Sequence, residues 1–455
     1  MSQLSKAESF YPPLETLPPS DLISQADRDF ADSLRFALTV PPEGADQART
    51  LIYLAREKAR SNLNFNEPVI RARILAEQPG QIYQTMIYER LALLFSSVGW
   101  FEEYDKELAK VNRDHNMDDS FYFRVAQDKA RYGLGPFGEL NYVKSRNHDI
   151  GQKLGGRVLI EADASLAAAT YLATGVYSEE ELSLLEREME QYELTYPQDN
   201  YVLHYKEALS RAFATCRNLE RAVFWADNMQ VKGDQFLGYV AVPVVAYRRL
   251  AQEQLLQRDY NGVIASGHKA ISLLEHINLQ PKHLAANHEF FRALETPKFL
   301  ALIGQAETLS GNSGAVSFDE ATKLAKNIPS NGYWRSQALL WIIRAMEEAH
   351  RDSTPAINVA LQELDAIPFF GVESEGLTDE LIDSLHKADG YEDMAKTLAR
   401  IGKVDTARAV QARILNLNEP FFNEGISEVY AEMGSASMQL ARPNRQRVLA
   451  VDELG

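Results

Sequence analysis

A single cysteine, Cys216, stands in a chain of 455 residues. That excludes an internal disulfide and any site built from several thiolates. It lies in FATCRN at the end of an apolar stretch, so a buried, inert thiol is expected. Cations are in deficit as well: 47 Lys and Arg stand against 64 Asp and Glu, a formal charge of −17. A groove that tracks phosphates needs the opposite excess, so no nucleic-acid partner is expected. An acidic surface favours basic partners instead. No run approaches the length of apolar sequence that crosses a bilayer, so no membrane insertion is expected. The opening MSQLSKAESFYPP is polar and then proline-rich, unlike a secretory signal. A cytoplasmic protein is the expectation. Strand-like alternation is close to absent, and the chain reads as all-α.

Catalytic motifs are missing too. GLGPFG at 133–138 has the spacing G-x-G-x-x-G, but a dinucleotide loop follows a strand, and here a helical stretch precedes it. A helix stop and loop is the reading. His283 and His288 lie five apart, not the four that share a helix face around zinc. Asp118 and Asp119 are adjacent, so their side chains diverge, and they are read as the cap of the following helix. The acidic run SEEELSLLEREMEQYE opens on a capping box, Ser178 with Glu181, and reads as a helix with a solvated face. There is no Gly-x-Ser-x-Gly elbow, kinase signature or P-loop. No catalytic residue, metal or cofactor is expected.

What the sequence does contain is a recurring block of thirteen residues. IYERLALLFSSVG (87–99) is followed 34 residues later by FYFRVAQDKARYG (121–133). Relatives of it occur at 205–217, 246–258, 390–402 and 422–434. The fifth position is a sizeable apolar residue: Leu91, Val125, Leu209, Leu250, Met394 and Ile426. The sixth is small: Ala92, Ala126, Ser210, Ala251, Ala395 and Ser427. Each block ends in Gly or Arg. A short helix of this kind cannot bury its apolar stripe alone and must stack on the next copy. The large residue fills a seam, and the small one admits the partner backbone.

These blocks resemble the tetratricopeptide repeat family, in degenerate form. In 247–274 the matching residues are Tyr247, Leu250, Ala251, Tyr260 and Ala270; in 88–111 they are Tyr88, Leu91, Ala92, Phe95, Gly99 and Phe101. The family's terminal proline is missing from both units. The resemblance implies an α-solenoid of stacked antiparallel helix hairpins in a right-handed superhelix, with a concave face that holds extended peptides. Carried over to this chain, the groove positions are Glu89, Glu207, Arg211, Arg248, Gln252, Glu392 and Lys396, with Arg211 and Arg248 foremost. The expected function is a non-enzymatic adaptor or scaffold for a protein or peptide partner. Two alternatives stand beside it: an all-α enzyme, a closed helical toroid whose paired carboxylates lie far apart in sequence, and a structural subunit. The expected organisation is a proline-rich arm at 1–20, helical regions at 21–308 and 319–435 joined by a softer stretch at 309–318, and a tail at 436–455.

Overall fold

The computed structural model describes residues 18–42, 45–78, 82–111, 118–154, 159–229, 237–276, 285–330, 332–371 and 378–442. Among them are twenty α-helices and no strand. The chain forms two compact units, one from residues 1–117 with 361–455 and the other from 118–360. The first unit opens with α1 (Pro19–Ala37), α2 (Asp46–Arg60), α3 (Asn66–Ala76), α4 (Gln84–Ser97) and α5 (Phe101–Leu108). The second holds α6 (Asp119–Arg131), α7 (Phe137–Leu154), α8 (Leu159–Thr174), α9 (Glu179–Thr195), α10 (Tyr201–Thr215), α11 (Leu219–Asp227) and α12 (Leu237–Leu256). It continues with α13 (Tyr260–His276), α14 (Ala285–Leu309), α15 (Ala315–Lys326) and α16 (Gly332–Glu348). Helix α17 (Thr354–Asp365) spans the boundary, and α18 (Asp379–Arg400), α19 (Val404–Leu415) and α20 (Asn423–Ala441) complete the first unit.

The block positions behave as their chemistry demands. None of the six large and six small seam residues is more than 4% exposed. The closing Gly or Arg also has a physical reason. Gly99, Gly133, Arg217, Arg258 and Gly402 all adopt positive φ, between 61° and 84°. The next amide then reaches back to a carbonyl five residues earlier, as in Trp100 to Phe95 and Asp259 to Gln254, at 2.8 to 2.9 Å. This is the left-handed cap that ends a helix and closes its last carbonyls. The sixth block differs: Gly434 lies inside α20, where a Cβ would come within 3.1 Å of the Phe30 ring.

In the second unit the blocks and their counterparts form a layer of first helices. Helices α6, α8, α10, α12, α14 and α16 each pack on the next, while α7, α9, α11, α13 and α15 return against their own partner and the following first helix. The first unit repeats this order without following the chain. Its first helices pack in the sequence α18, α20, α2, α4, and α19, α1, α3 and α5 return against them. Ser210 of α10 donates to the Ala222 carbonyl on its return helix α11 at 2.9 Å. Ser427 of α20, the same block position, donates at 2.8 Å to the Ser33 carbonyl on α1. Helix α1 therefore stands as the return helix of the last block, although it begins the chain.

Some boundaries move from where the sequence places them. Helix α1 begins at Pro19 after Pro18, with no side-chain cap, two residues before the expected start at 21. Proline's fixed φ and missing N–H suit a first helical turn. Of the expected arm, residues 1–17 lie outside the described residues. Helix α20 runs on to Ala441, past 435, and residues 443–455 lie outside the description. The 309–318 stretch turns through Gly311 and Gly314 between α14 and α15, which pack closely on each other. A side chain at Gly314 would sit 2.3 Å from the Gly304 carbonyl, so only glycine lets the two helices meet there. Within GLGPFG, read as a helix stop and loop, the loop ends early, and the eighteen-residue return helix α7 begins at Phe137.

Candidate functional site

Most of the polar positions carried over from the family resemblance are engaged between neighbouring first helices. Glu207 on α10 is buried and accepts from Arg249 on α12. Arg248 on α12 donates to Glu295 on α14 at 2.6 Å. Glu392 and Lys396 on α18 meet at 2.5 Å, and Lys396 also donates to Glu428 on α20. Gln252 is half-buried one turn beyond Arg248, and Glu89 is half-buried on α4. The Glu207, Arg248 and Lys396 partners on neighbouring helices lie 32 to 47 residues away in sequence, so these three pairs staple one hairpin to the next, whereas Glu392 pairs within its own helix.

Arg211 is placed differently. It lines a cavity of about 480 Å³ to which α6, α8 and α10 all contribute. Its guanidinium donates to Ser165 of α8 at 3.2 Å. The floor is made of Ala162, Ala168 and Ala169 with Phe123 and Leu172. Small residues on successive turns of α8 leave room beside Arg211. Asp118, Asp119 and Glu161 form an acidic rim. Asp118 caps α6 through the Ser120 amide at 3.4 Å, and Arg146 of α7 holds Asp119. The arrangement offers an apolar floor, a fixed cation and three carboxylates, which suits binding more than bond-breaking.

A second charge network lies in the first unit, on α2, α18 and α20. Tyr53 donates its hydroxyl to Glu432, which also accepts from Arg400 at 2.7 Å. Arg49 reaches Glu424 at 2.6 Å. Burial pushes the Glu392 carboxyl up to about 7, against the pull of Lys396. Burial works against the Lys396 ammonium too, but Glu428 and Glu392 overcome it and raise its pKa. The carboxylates here share cations instead of facing a common substrate space.

A further cluster on α12, α14 and α16 carries no sequence signal. Glu295 binds Arg248 through one oxygen and Lys298 through the other, at 2.6 and 2.8 Å. Both cations lie 5.8 Å from the centre of the Trp341 ring. Sequence reading reached Arg248 through its block position, but Glu295 and Lys298, one turn apart on α14, and Trp341 lie outside any block, and only packing brings Arg248 and Trp341 to that pair. The acidic rim of the cleft escaped for the same reason, since Asp118 and Asp119 read only as a cap. Among the described residues no group of three His, Cys, Asp or Glu could hold a metal, and no helix is long and apolar enough to cross a membrane. His283 lies outside the described residues. The chain matches no protein-family model, no curated protein and no solved structure.

Proposed function

We propose that this chain is a non-enzymatic interaction scaffold, a degenerate tetratricopeptide-like solenoid that holds an extended peptide on its layer of first helices. One observation carries the reading: three consecutive first helices line a single cleft, and Arg211 stands in it. An extended segment would lay small apolar side chains on the alanine floor. Arg211 would hold a backbone carbonyl or carboxylate by a charge-assisted hydrogen bond, and the acidic rim would take a basic side chain. The enzyme alternative calls for two carboxylates across a reaction space, whereas Glu392 and Glu428 meet on one ammonium.

The test is purification of partners on the tagged full-length chain beside two variants, Arg211→Glu and Ala168→Trp. The first reverses the fixed charge and the second fills the cleft. A stoichiometric protein held by the wild type and lost from both variants supports the reading. If the same protein stays on both variants, or none co-purifies with the wild type, the reading fails. Arg248 is unsuited to this test, because an acid there would face buried Glu295.

A further inference from the structure

The cluster on α12, α14 and α16 is unbalanced. Arg248 and Lys298 carry two positive charges and share one carboxylate, Glu295, which leaves one charge over. The three side chains are 23, 12 and 5% exposed respectively, so water screens them poorly. Burial lowers the pKa of Lys298, and the charges acting on it are Glu295 in favour and Arg248 against. Lys396 shows the reverse arrangement, one cation between two carboxylates. Among the described residues Arg248 and Lys298 each donate to Glu295 alone. A guanidinium has five N–H donors and an ammonium three, so most of them find no protein acceptor. The Trp341 ring lies beside both cations, 5.8 Å from each.

We propose that Arg248, Lys298 and Trp341 form a binding site for a ligand carboxylate, with Glu295 as the residue that holds the two cations in place. The incoming carboxylate supplies the missing negative charge and accepts the free N–H donors, while the indole face packs on its aliphatic stem. Charge-assisted bonds of this kind are about twice as strong as neutral ones. The site lies on the first-helix layer of the second unit, the layer that holds the Arg211 cleft. The inference therefore rests on that layer being ligand-bearing and assigns it a second contact, chemically the reverse of the acidic rim. A peptide with a basic residue for the rim and an acidic residue for this site is the partner that fits both.

Small probes test the site without a partner. The full-length chain carries four tryptophans, and ¹⁵N labelling of their indoles gives a resonance for Trp341, assigned by Trp341→Phe. Three probes are titrated: N-acetylglutamate α-methylamide for an acidic side chain, N-acetylglycine for a chain terminus, and N-acetylglutamine methylamide as the neutral control. A saturable shift of the Trp341 signal in roughly the millimolar range is expected with a carboxylate and not with the neutral amide. Whichever carboxylate saturates first identifies the source. Lys298→Met and Arg248→Gln should each weaken binding at least tenfold, with the other indole signals unmoved as the check on folding. Arg248→Lys should restore part of it. Equal response to the neutral amide, no saturation, or a shift that survives both variants overturns the site and leaves the cluster a structural staple. Because Arg211→Glu leaves these probes untouched, failure of the cleft and failure of this site are separately visible.

Discussion

Asp29 on α1 and Arg408 on α19 meet in a two-pronged ion pair, at 2.9 and 3.0 Å, across 379 residues of sequence. Asp29 is 1% exposed. Burial pushes its carboxyl above the usual range, and Arg408 pulls it back. Removing the cation alone would leave a buried charge. Arg408→Leu should therefore cost about 3 kcal/mol, while Arg408→Leu combined with Asp29→Leu should cost much less. Thermal unfolding of the three chains decides it. A double variant as unstable as the single one would show that packing, and not the uncompensated carboxylate, sets the cost.

The Glu392 carboxylate rests against Gly425, where a Cβ would lie 1.8 Å from its Oε2. Its pKa is about 7 in the folded chain against an ordinary 4.5. A raised carboxyl means that the folded state binds the proton more tightly. This group's contribution is thus full below pH 4.5 and falls away as the pH rises through about 7. Glu392→Gln, which mimics the protonated form, should flatten that part of the stability profile. Melting temperatures of both chains across this window provide the measurement, and parallel profiles would sink the assignment. Gly425→Ala should displace the carboxylate from Lys396 and lower the melting temperature, although alanine is the better helix former.

Arg258 occupies at φ 61° a place that Gly99 and Gly402 occupy in sister blocks. A left-handed residue other than glycine costs about 1–2 kcal/mol, and glycine returns part of that as unfolded-chain entropy. Arg258→Gly should stabilise the chain by roughly 0.5–1 kcal/mol, with Gly402→Arg acting in the opposite sense. Chemical denaturation with an unchanged slope would measure both. A loss of stability in Arg258→Gly would mean that the arginine side chain contributes more than its backbone costs.

Cys216 is 2% exposed, and burial pushes its thiol up to about 12. The thiolate is the reactive form. A thiol reagent at neutral pH should leave the native chain unlabelled and modify it at once in denaturant. Rapid native labelling would place the thiol at an opening segment and contradict its packing.

Much of the local architecture was legible in the sequence. Large and small seam positions, the Ser178 cap on the Glu181 amide at 3.1 Å, and five of the six Gly or Arg stops all follow from short-range sterics and hydrogen bonding, while the Glu181 carboxylate turns to Lys144 instead of closing the capping box. The candidate site was legible in part. Arg211 could be named from its block position, because the side-chain direction on a helix follows from spacing. Its cleft could not, since the alanine row of α8 becomes a floor only when α6 and α10 flank it.

The sequence by itself determined that the chain is helical, where five of the six repeated blocks stop, and which side chains fill their seams, because these depend on neighbours within a turn or two. The tertiary structure decided the rest. It set α1 beside α20, joined Asp29 to Arg408, turned Glu207 and Lys396 into staples, and left Arg248 and Lys298 sharing one carboxylate. Such pairings join residues separated by tens to hundreds of positions. Their energies come from burial and charge in a shared space, which the order of residues along a chain does not specify.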